Sequence, residues 1–107
     1  MLNRRDKPDP QEVGYIVVMA VPGCGATGPI FMGWCPMNET AALVTRVRLT
    51  HPDAAITDWF PSTRRIGHWH HKTLIQSRLT PDNADWYALT PAMAKYLAAL
   101  RAQYADR

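Results

Sequence analysis

Val13-Gly14-Tyr15-Ile16-Val17-Val18-Met19-Ala20-Val21 and, a short way on, Ile30-Phe31-Met32-Gly33-Trp34 decide the fold of this 107-residue chain. Both runs are rich in β-branched and bulky residues, which pack well on a pleated sheet. Both are too short and too irregular in helical phase to be read as helices. The Gly- and Pro-rich segment 22–29 between them reads as a turn, so the two runs are expected to form an antiparallel hairpin. That segment also spells G-x-G-x-x-G over 23–28. A nucleotide-binding reading would require a helix directly after it, whereas Pro29 and a strand follow. A hairpin loop is the better reading.

Working outward, residues 1–12 are charged and carry Pro8 and Pro10, which suggests a flexible arm before a single domain over 13–107. Downstream, Asn38 is placed to cap a helix over 39–49, with Leu43, Val44 and Val47 at helical spacing. A third strand is expected over 54–60, stopped by Pro61. Ser62 or Thr63 can cap a second helix over 64–79. Its buried face is expected to hold Ile66, Trp69, His70, Thr73, Leu74 and Ser77, with Arg65, His68 and Lys72 on another face. A short extended piece follows at 86–89. Thr90-Pro91 then opens a last helix, a capping hydroxyl followed by proline at the first helical position. Met93, Tyr96, Leu97 and Leu100 form its apolar stripe. The expected class is α+β, with a three-stranded antiparallel sheet flanked by three helices.

Composition narrows the function. Twelve Lys and Arg stand against nine Asp and Glu, a formal charge of +3, which suits an acidic partner such as DNA or RNA. Only Cys24 and Cys35 occur, with no C-x-x-C pair, so two free thiols in a reducing cytoplasm, the chain's own or a host's, are the expectation. No stretch is long and apolar enough to span a membrane.

The order Gly14-Tyr15-Ile16, then Gly28-Pro29-Ile30-Phe31-Met32-Gly33, then Asp85-Trp86-Tyr87 and Thr90-Pro91 resembles the GIY-YIG endonuclease superfamily, most closely its compact phage and bacterial branch. The resemblance covers about residues 13–101. It implies a three-stranded antiparallel sheet and metal-dependent DNA cleavage by two strand tyrosines, a first-helix arginine and a later-helix carboxylate. The chain departs at nearly every one of those positions. The first tyrosine position falls on Val17, or on Tyr15 or Ile16 if the strand slips. Phe31 occupies the second. The arginine position falls near Ala42 or Leu43, one turn before Arg46. The carboxylate position falls near His68, on a helix with no Asp or Glu. Mg²⁺ prefers oxygen ligands, so that last loss matters most.

Three functions remain open. The first is a catalytically degenerate module that binds nucleic acid through Arg46, Arg48, Arg64, Arg65, Lys72 and Arg78. Between Thr40 and Leu79 the only acids are Asp53 and Asp58, and side-by-side helices would merge these cations into one patch. The second is a small phage-type inhibitor or adaptor that binds a host protein through Trp34, Trp86 and Tyr87. The third is a divergent nuclease with His68 or His71 as base, assisted by Tyr15 or Arg46, and a divalent metal as its only cofactor. No metal-ligand spacing is complete among His51, His68, His70, His71, Cys24, Cys35 and Asp85.

Overall fold

The computed structural model describes residues 9–21, 29–76 and 86–105. Strand β1 (Val13–Ala20) and strand β2 (Pro29–Pro36) form the expected hairpin, with Val17 opposite Gly33. A single 3₁₀ turn, Met37–Glu39, leads into helix α1 (Thr40–Thr50). Strand β3 (Ala55–Thr63), helix α2 (Arg64–Gln76), strand β4 (Trp86–Ala88) and helix α3 (Pro91–Ala105) follow. All pairings are antiparallel, in the order β3-β1-β2-β4.

β1 is apolar at every second position in both phases because both of its faces are covered. Ile16 and Val18 point into a core shared with Leu74 of α2 and Met93, Leu97 and Leu100 of α3. Val17 and Met19 point the other way, against Leu43 and Val47 of α1. The sheet is therefore the middle of three layers, with α1 on one face and α2 and α3 on the other. Each of these side chains is buried, and full burial of one is worth about 1.5–3 kcal/mol relative to exposure.

Among the described residues the sheet has four strands rather than the expected three. β4 pairs with β2 through Ala88, Tyr87 and Trp86. Three residues are too few for alternation to show in sequence, yet they send one aromatic into each core, Tyr87 with α2 and α3 and Trp86 with α1. β3 also runs through Pro61 instead of stopping there. It lies at the sheet edge, where proline's missing N–H need not break the ladder. Between Val18 and Met19 the β1–β3 register shifts past Thr57, whose hydroxyl donates to the Val18 carbonyl at 3.3 Å.

The helix starts divide. Thr90 Oγ1 accepts from Met93 N at 3.1 Å, and Thr63 rather than Ser62 serves α2, accepting from Ile66 N at 3.3 Å. Asn38 does not cap α1; it lies inside the 3₁₀ turn, and no side chain caps the helix.

Candidate nucleic-acid interface

The buried side of α2 is set by a glycine. An added β-carbon at Gly67 would sit 2.6 Å from the Trp34 β-carbon, so the helix rests directly on that side chain. Gly67, His70 and Leu74, three and four residues apart, thus form the inward stripe. His70 and Leu74 are buried. This turns the helix away from the expected face: Ile66 is 43% and Trp69 58% exposed. A reading by hydrophobicity places Trp69 inside because it gives glycine no weight, whereas here glycine makes the closest contact.

Trp34, expected on the surface, is a half-buried plate between layers. On its sheet side Gly14 lies under the ring. Its indole Nε1 donates to the Ser62 carbonyl at 3.1 Å, reaching from β2 past β1 to β3. The Arg64 guanidinium sits over the ring, 4.5 Å from its centroid, a cation–π contact of about 0.5–2 kcal/mol. Arg64 also pairs with Glu12 at 2.7 Å, an exposed pair that orients the arginine more than it stabilises the fold.

The first backbone donors of α2 are all used within the protein. Arg64 N binds the Glu12 carbonyl at 3.0 Å, Arg65 N binds that of Pro10 at 2.9 Å, and Ile66 N binds Thr63. Any attraction for anions therefore comes from side chains. Two arginines at the positive end of a helix oppose its dipole, at a cost of some tenths of a kcal/mol that a bound anion would relieve.

Two ridges run along the solvent side of α2. Arg64, His68 and His71 follow i, i+4, i+7 and form the inner ridge beside Trp34. Arg65, Trp69 and Lys72 follow the same spacing one row further out, and all three are exposed. The helix carries no acidic residue. His71 Nδ1 hydrogen-bonds the Tyr87 phenol at 3.1 Å, so His71 joins the core network instead of standing on a solvated face.

His70 is 6% exposed and joined through Nδ1 to the Tyr96 phenol of α3. Burial pushes its imidazole below the ordinary 6.5 and the Tyr96 phenol above its ordinary range. The folded state thus favours neutral His70. The stability this supplies is intact above pH 6.5 and is lost as the pH falls toward the depressed folded value. Urea midpoints should drop between about pH 7.5 and about pH 5.5 in the parent and drop less in His70→Gln. Equal slopes would count against the assignment.

The remaining expected site residues are dispersed. Arg46 and Arg48 lie on α1, across the sheet from Arg64, Arg65 and Lys72, so these five cations do not merge into one patch. Arg48 Nε donates to the Ala54 carbonyl at 2.9 Å. Arg78, Cys24, Asp85 and the 23–28 glycines lie outside the described residues. Trp86 and Tyr87 are buried, Trp86 against Phe31 and His51, and so present no docking surface. The exposed aromatics are instead Trp69 and Trp59, which is 51% exposed and packs edge-on against Tyr15.

Tyr15 and Arg46 belong to the α1 side, His68 and His71 to the α2 side, and the sheet separates them. Cys35 is buried with its thiol pushed up by desolvation, which makes it a weak nucleophile. Among the described residues no three His, Cys, Asp or Glu side chains gather where they could hold a metal ion, and no helix is long and apolar enough to cross a membrane. No protein-family model, curated protein or solved structure matches the chain.

Proposed function

We propose that this chain is a catalytically degenerate GIY-YIG-like module that binds nucleic acid through the outer side of α2. The observation that carries the reading is the exposed ridge Arg65, Trp69 and Lys72 on a helix without a carboxylate. Guanidinium and ammonium groups neutralise phosphates, and an indole between them offers a plate on which a base can stack. The GIY-YIG resemblance draws support from Gly14-Tyr15-Ile16 on β1, from Pro29 to Gly33 on the paired strand and from the Thr90 cap at the last helix. Hydrolysis is disfavoured because Phe31 has no hydroxyl and the imidazoles of His68 and His71 stand across the sheet from Tyr15 and Arg46. Arg46 and Arg48 fall outside the interface for the same reason.

Fluorescence anisotropy with labelled oligonucleotides across a salt series tests this. Binding should weaken with salt, log K falling by about 0.7–0.9 per phosphate contact for every tenfold rise in salt. A total slope near −2 is expected if roughly three cations engage. Absence of binding at the lowest salt would overturn the proposal.

A further inference from the structure

The inner ridge of α2 and Trp34 enclose an open depression of about 260 Å³, lined by Trp34, Arg64, Gly67, His68 and His71. Its floor adjoins a smaller cavity of about 40 Å³, with which it shares Trp34, Gly67 and His71. That deeper space is walled by Ile16, Met32, Leu74 and Tyr87 and is mostly apolar. The recess therefore grades from a cationic, imidazole-lined mouth to an apolar floor. Arg64 on its lip has a buried Nε with no hydrogen-bond partner, a donor left unsatisfied although its guanidinium also engages Glu12 and Trp34. That Nε is enclosed and out of reach of an incoming group, so the open polar contact at the mouth is the exposed ring of His68.

Pockets for drug-sized ligands occupy roughly 300–1,000 Å³, so this recess suits a single heterocycle. A flat ring finds the imidazoles of His68 and His71 and the part of Trp34 left open beyond Gly14, Gly67 and Arg64, with apolar surface beneath. A phosphate alone would use the mouth and leave the floor empty. The outer ridge lies one row away on the same helix, so a strand held there by its phosphates can turn one base inward. Only an unpaired base can do so, because a duplex presents its base edges and keeps the ring faces stacked.

We infer that the depression between Trp34 and the Arg64–His68–His71 ridge receives one unpaired nucleobase and makes the module selective for single strands. This rests on the nucleic-acid reading of α2. Anisotropy should be measured with a labelled single strand of about 12 nucleotides and with a duplex of the same length, at one salt concentration. The parent protein should bind the single strand about tenfold more tightly than the duplex. His68→Ala, at an exposed position, should remove most of that gap and leave duplex affinity in place. Lys72→Ala should weaken both substrates alike. Equal affinity for the two, or a gap unchanged in His68→Ala, overturns the pocket while the nucleic-acid reading stands. Failure to bind either one at low salt overturns both.

Discussion

Gly14→Val is expected to destabilise the domain by about 3 kcal/mol or more, a large share of the roughly 5–15 kcal/mol that holds a domain of this kind together. A β-carbon at this position would meet the Cys35 carbonyl oxygen at 2.1 Å and the Trp34 ring at 2.6 Å. The first obstacle is backbone of the neighbouring strand and cannot turn aside. The second is a ring held from above by Gly67 and Arg64 and at its edge by the Ser62 carbonyl. Relief would require moving β2 or lifting Trp34, and lifting it would also pull α2 from the sheet. Trp34→Phe keeps a plate but loses the Ser62 bond and should cost only about 1 kcal/mol from that source. Urea midpoints of both variants provide the check. A Gly14→Val protein within about 1 kcal/mol of the parent would mean that Trp34 does not clamp the layers together.

Gly14 also shows what the sequence conveys and what it withholds. As the first residue of a Gly-Tyr-Ile run it marks a resemblance, but its physical task depends on a tryptophan twenty residues away, and no local pattern announces that contact. β1 is legible because it is buried on both faces, so its apolar run is unbroken. The Thr90-Pro91 start is legible because capping is local chemistry. β4 is not, since three residues carry no period, and its existence depends on β2 offering an edge at Pro29 to Phe31. The extension of β3 through Pro61 depends equally on its neighbours. The side of the sheet on which each cation falls is hardest to read. Periodicity says that α1 and α2 each need a partner; it does not say which side of the sheet supplies one. Hence the cations of the two helices look contiguous along the chain and lie on opposite sides of the molecule. Trp69 faces outward for a related reason, the Gly67 contact that turns α2 by part of a rotation.

That separation permits a test in which charge is held constant and only position varies. Arg65→Glu with Lys72→Glu takes the formal charge from +3 to −1, and so does Arg46→Glu with Arg48→Glu. If affinity reflected overall attraction between a basic protein and a polyanion, the two double variants would lose it equally. If the α2 ridge is the interface, the first pair removes two phosphate contacts and adds repulsion next to the strand, for an expected loss of about a hundredfold or more at moderate salt. The second pair acts across the thickness of the sheet and two helix layers. At about 0.15 M salt, screening over roughly 8 Å should keep its effect to a few-fold. The salt slope should flatten by about 1.5 in the first variant and hardly change in the second. Trp69→Ala supplies the uncharged arm, leaving the slope unchanged while weakening binding by about 1–3 kcal/mol through the lost stack. Circular dichroism of each variant checks the fold, particularly where Arg48 gives up its bond to Ala54. Equal losses in the two charge-reversed proteins would remove α2 as the interface and leave only the net charge to account for binding.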